Sequence, residues 1–184
     1  MVLGALLDLG LPFDHLKQEL GKLSCEPVEL DVKRVDRAGV SATKIDFRFQ
    51  DPKKHRHLSE IVDMIERSTL TDQVKLNARK IFRNLGVAES KVHGIPLEKV
   101  HFHEVGALDS IMDIVGSCIG FDFFGITDFK CSTINVGNGT VKMAHGLFPV
   151  PPPAVAELIK GIPIKTGPGE GELLTPTGAA IIAS

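Results

Sequence analysis

VHFHEVGALDSIMDIVGSCIGFDFF, residues 100–124, is the stretch on which the fold turns. Val100 to His103 read as a short strand, and 104–124 as one long, unusually apolar helix. Working outward, strands are predicted at 128–136 and 139–145 around Gly137-Asn138-Gly139, and at 162–166. A hairpin is predicted at 28–36 and 40–49 around Arg37-Ala38-Gly39, because apolar and polar residues alternate there with period two, one face packed and one wet. Helices are expected at 1–9, 12–23, 58–67, 71–86, 153–160 and from Thr175 onward. Thr71 serves the fourth of these as N-cap and Gly86 as its stop. The fold class is therefore α/β (α+β): a mixed sheet with hairpins, covered by helices.

The 184 residues carry 21 Lys+Arg against 23 Asp+Glu, and they contain neither Trp nor Tyr. So balanced a charge, with no basic face to displace counterions and few stacking platforms, excludes a nucleic-acid partner. No run approaches the roughly 18 apolar residues of a membrane span, and the start has no basic leader region. The reading is a cytoplasmic protein with no membrane partner. Cys25, Cys118 and Cys131 are odd in number and widely spaced, so they read as buried small apolar side chains. Both ends look cut: 1–9 is helical in pattern from its first residue, and the helix after Thr175 stops within about three turns. The expectation is one domain over 1–184, with a subdivision near 95 left open, forming the N-terminal fragment of a longer two-domain protein.

The densest chemical constellation lies in the opening stretch. On a strand His101 and His103 point to the same side, Glu104 sits at the strand end, and Asp109 and Asp113 are at i,i+4 on the helix that follows. Imidazole with carboxylate suits borderline divalent ions such as nickel, zinc or manganese. The same residues fit a solvent-facing edge with aspartates capping helices or pairing with lysines, and spacing alone leaves both open. His55 and His57 flank Arg56 in a polar link and fit either a loose cation site or a solvated loop. His145, at a strand end before Gly146, is a position for a catalytic or ligand side chain as well as for a structural one. Thr175-Pro176-Thr177-Gly178 opens a helix whose N–H groups favour phosphate or carboxylate, and it is equally a well-capped helix. P-loop, Rossmann, H-E-x-x-H and G-x-S-x-G patterns are absent from the sequence.

Taken together, LEKVHFHEVGALDSIMDIVG (97–116), LGALLDLG (3–10), AHGLFPVPPPA (144–154) and ELLTPTGAA (172–180) resemble the LarC family of nickel-insertion proteins, with segment order kept over nearly the whole chain. The resemblance implies a nickel chelatase, a lyase that inserts Ni(II) into pyridinium-3,5-bisthiocarboxylic acid mononucleotide with CTP hydrolysis. Its product is the nickel-pincer cofactor of lactate racemase and related cofactor-accepting enzymes. It further implies that CTP, with Mg or Mn, belongs to a C-terminal part beyond residue 184. The family's histidine-rich stretch is reduced here to His55 and His57, and only Met1 remains of its opening Ser-Gly-Asp-Met turn. On this footing His101, His103 and Glu104, with Asp109 and Asp113, hold the ion. Thr175, Thr177 and Gly178 receive the substrate phosphate, and His145 acts as a base. A homo-oligomer is left open. The alternatives are a non-catalytic metal-binding and assembly module, and a metal-dependent hydrolase of phosphorylated small molecules.

Overall fold

The computed structural model describes residues 1–50, 56–102, 108–143 and 145–184. At its centre is helix α5, Leu108–Phe123, of whose sixteen residues eleven are buried. So apolar a helix must be covered on several sides. Helices α1 (Val2–Asp8) and α2 (Phe13–Leu20) cover it from one direction, α4 (Asp72–His93) from another, and α3 (Leu58–Arg67) backs α4. The close approach of α1 depends on two glycines of α5: a Cβ on Gly116 would stand 2.9 Å from Leu3 Cδ2, and one on Gly120 2.6 Å from Leu6 Cδ1.

Helix α4 runs antiparallel to α5, because the Thr71 hydroxyl at its start donates to Asp122 Oδ2, near the end of α5, at 2.9 Å. At 1.5 Å per residue, α5 spans about 20 Å between Asp122 and Asp109. The start of α5 therefore lies toward the end of the molecule where α4 finishes. Contrary to the sequence expectation, α4 does not stop at Gly86; it continues to His93, where Gly94 at φ 63° caps it in the left-handed conformation. Gly86 is a point of close approach instead: a Cβ there would meet Leu58 Cδ2 at 2.8 Å and Leu97 Cδ1 at 3.1 Å.

The strand expected at 100–103 is also corrected. One antiparallel bridge, His57 to His101, takes its place, with Phe102 N–H donating to the Arg56 carbonyl at 3.2 Å and Leu58 N–H to the Val100 carbonyl at 3.3 Å. Alternation survives in this short piece: Val100 and Phe102 are buried, and His101 between them is exposed.

Strands β1 (Glu29–Arg37) and β2 (Val40–Arg48) form the expected hairpin, turned by Ala38 and Gly39, both at positive φ as a two-residue type I′ turn requires. Leu30, Ile45 and Phe47 on one face pack against the helices. The other face is wet, with Lys33 and Lys44 bridging to Asp46 at 2.7 and 2.6 Å. The remaining strands are short. β3 (Ile134–Asn135) pairs in parallel with β7 (Ile164–Lys165), β4 (Gly137–Asn138) with β8 (Gly171–Glu172) antiparallel, and β5 (Thr140–Met143) with β6 (Gly146–Pro149) as a hairpin. The chain is thus a mixed α+β fold, its strands divided among four two-stranded pairings among the described residues. Residues 127–133 are exposed, and 128–133 form no strand, against expectation.

Ile134, Val136, Val155, Ile159, Leu174 and Ala179 form a second, smaller core beneath α6 (Pro153–Leu158) and α7 (Pro176–Ile182). Ala180 of α7 belongs to the main core and joins the two. Cys118 is buried, which pushes its thiol up to about 12. Cys25 is half-buried, and Cys131 is exposed, a correction to its expected burial. No helix among the described residues is long and apolar enough to cross a membrane.

Candidate functional site

The start of α5 carries the two aspartates that the helical spacing singles out. Asp109 is exposed, and its carboxylate accepts the Ser110 N–H at 2.7 Å. One turn later Asp113 is half-buried. Burial pushes its carboxyl above the usual carboxylate range, the Met1 ammonium pulls the other way, and the Asp109 carboxylate adds to the rise. A carboxylate held at such cost suits a site that receives a cation.

Against this turn stands the start of α7, where the Thr177 hydroxyl donates to Ser110 Oγ at 3.3 Å. Thr175 caps α7, its hydroxyl oxygen accepting the Gly178 N–H at 3.2 Å. Pro176 has no N–H to offer. With the Thr177 hydroxyl proton committed to Ser110, the Thr177 amide and the Thr175 hydroxyl proton are then what this turn has left for an anion. A Cβ on Gly178 would make only ordinary contacts, at 3.4 Å to Thr175 Oγ1 and 3.8 Å to Leu174 Cδ1. Among the described residues nothing demands glycine there, and helix propensity disfavours it.

The bridge between His57 and His101 brings their rings to 5.3 Å between centroids, tilted by 59°. Glu60 Oε2 accepts the His57 N–H at 2.7 Å, so His57 also begins α3. Arg56 beside it is buried and ion-paired to Glu26 at 2.9 Å, which anchors this segment to the chain before the hairpin. His55, His103 and Glu104 lie outside the described residues. Among the described residues no three His, Cys, Asp or Glu side chains form a group able to hold a metal ion, so His57, His101, Asp109 and Asp113 do not complete such a group by themselves.

His145 is exposed beside the β5–β6 turn, and its ring meets that of His93 at the end of α4, 5.1 Å between centroids. Sequence reasoning missed His93 because it ended the helix at Gly86. The signal available was Gly94 as the C-terminal glycine, with Glu89 and His93 one turn apart just before it.

A family model described as nickel insertion protein matches residues 1–184. Among curated proteins, the pyridinium-3,5-bisthiocarboxylic acid mononucleotide nickel insertion protein of Desulfitobacterium hafniense is 50% identical over 184 residues, covering 100% of this chain and 46% of its own length. The protein of the same name from Staphylococcus epidermidis is 44% identical over 180 residues, 98% of this chain and 46% of the relative. The chain thus spans about half the length of the curated relatives it matches. No solved structure matches it.

Proposed function

Because this chain belongs to the nickel insertion protein family, we propose that it is the metal-handling part of a protein that inserts Ni(II) into pyridinium-3,5-bisthiocarboxylic acid mononucleotide. The observation that carries this reading is the family match over all 184 residues, which takes in every segment that bears candidate site residues. Nickel is here a substrate, and imidazole and carboxylate are donors it accepts. His101, His103 and Glu104 hold the incoming ion, with Asp109 and Asp113 supplying negative charge from the start of α5. Thr175, Thr177 and Gly178 face the substrate phosphate. When nickel bonds to the ring carbon, the C–H bond breaks, its electron pair becomes the nickel–carbon bond, and the proton passes to His145, an imidazole suited to proton transfer near neutral pH. CTP hydrolysis, with Mg or Mn, is assigned to the remainder of the longer protein, and the whole acts as a lyase serving a cofactor-accepting enzyme.

Calorimetric titration with Ni(II) tests the metal assignment. The His101→Ala/His103→Ala pair should weaken binding by at least tenfold, and unchanged stoichiometry and affinity would sink the assignment. Gly178→Ala tests the phosphate assignment. Its Cβ makes only ordinary contacts, so the thermal midpoint should hold or rise slightly, alanine being the better helix former by about 1 kcal/mol. The mononucleotide should meanwhile bind about tenfold more weakly, because the methyl group occupies the space of its phosphate. Undiminished mononucleotide affinity would return Thr175–Gly178 to a capping role.

Coverage of about half the relatives' length favours one second reading, a non-catalytic binding and assembly module. Cofactor formation by the remaining part of the longer protein, purified without residues 1–184, would establish it.

A further inference from the structure

Glu89 and His93 are four residues apart on α4, so their side chains lie on one face, one turn above the other. His93 Nε2 stands 3.2 Å from Glu89 Oε2. The end of α4 that carries them is fixed from two sides: Lys91 is ion-paired to Glu157 of α6 at 2.6 Å, and Gly94 closes the helix with its N–H on the Ser90 carbonyl. Across from it, His145 directly precedes Gly146, which opens β6 at φ 123° and pairs with Met143. The two imidazoles meet edge to face, with centroids 5.1 Å apart and planes at 61°. A ring packed in this way has its side-chain torsions narrowed, and a base transfers a proton efficiently only when its nitrogen is aimed at that proton within hydrogen-bond reach.

We infer that His93 is a positioning residue for His145, its ring fixing the direction of the His145 imidazole, and that the Glu89 carboxylate, beside His93 Nε2, holds His93 in turn. This rests on the reading of His145 as the proton acceptor. Helix α4 supplies a rigid element for the purpose.

The test uses the full-length protein, with the rate of nickel-pincer cofactor formation measured for His145→Ala, His93→Ala, His93→Phe and Glu89→Gln. His145→Ala should lower the rate by about a hundredfold. His93→Ala should lower it by about tenfold, with the half-saturating mononucleotide concentration and the thermal midpoint unchanged. His93→Phe should recover most of that loss, since a phenyl ring keeps the packing, and Glu89→Gln should cost a few-fold. Loss in His145→Ala without loss in His93→Ala overturns the positioning role and leaves the role of His145 standing. Equal losses in His93→Ala and His93→Phe overturn ring packing as its basis. No loss in His145→Ala overturns the reading of His145 itself. The contact is checked apart from activity by NMR: the His145 ring-proton resonances should shift in His93→Ala as the neighbouring ring current is lost, and unshifted resonances overturn the inference.

Discussion

Gly4→Ala is expected to lower the melting temperature by about 6–12 °C, the consequence of roughly 3 kcal/mol of overpacking in a chain of this size. The added Cβ would stand 2.2 Å from the Thr43 carbonyl oxygen and 3.3 Å from its carbon. Both sides of that clash are backbone, so no rotamer change relieves it, and α1 must retreat from β2. Retreat has two further costs. Leu3 and Leu6 lose their seats on Gly116 and Gly120 of α5. The polar clamp opposite loosens as well: Asp8 accepts the Thr43 hydroxyl at 2.7 Å and pairs with Arg34, which donates to Thr43 Oγ1 at 2.8 Å and to Ser41 Oγ at 3.0 Å. Gly120→Ala should cost about 1 kcal/mol, because its obstacle is the Leu6 side-chain end, which can shift. Thermal unfolding followed by circular dichroism measures both; a Gly4→Ala midpoint within 2 °C of wild type would refute this packing of α1 on the hairpin.

The same segment shows what a sequence conveys and what it withholds. LGALLDLG is legible as a helix and, by resemblance, as a family feature. Its work, however, is docking: Leu3, Gly4, Leu6 and Asp8 each meet residues between 26 and 114 positions away. The hairpin at Ala38-Gly39, the caps at Thr71 and Thr175 and the apolar α5 were legible because turn chemistry, capping and helical periodicity are local. Gly86 and Gly94 could not be told apart in the same way. Both follow a helical pattern, yet Gly86 is buried against Leu58 and Leu97, and only Gly94 adopts positive φ. That one misplacement hid His93. At the site, the i,i+4 relation of Asp109 and Asp113 is a property of any helix, whereas the pairing of Thr177 with Ser110, 67 residues away, depends on tertiary packing. Nothing local to either residue announces it.

Asp113→Asn is expected to make the protein more stable and less competent. The substitution keeps the side chain's shape and removes a charge that burial disfavours, so at pH 7 it should gain on the order of 1 kcal/mol, or about 2–4 °C in melting temperature. The pH dependence gives the cause away. Burial raises the folded-state pKa of Asp113 above its ordinary value of 3.8. Between those two values the unfolded chain has already released the proton that the folded chain keeps, so the stability of the wild type falls as pH rises through that window. Above the folded-state pKa the full cost is present, and below 3.8 it is absent. The advantage of the asparagine variant should therefore be complete at neutral pH and shrink toward zero in acid. On the proposed metal assignment, Ni(II) should act unequally on the two proteins. An ion bound by the folded state alone stabilises it by an amount that grows with the logarithm of one plus the ratio of ion concentration to Kd, so nickel should raise the wild-type midpoint and raise that of the variant far less, and the proposed nickel insertion by the full-length protein should fall at least a hundredfold. Urea unfolding across pH, with and without Ni(II), reads both effects. A gain that persists undiminished below pH 3.8 would assign the instability to packing rather than charge, and equal nickel stabilisation of both proteins would remove Asp113 from the metal site.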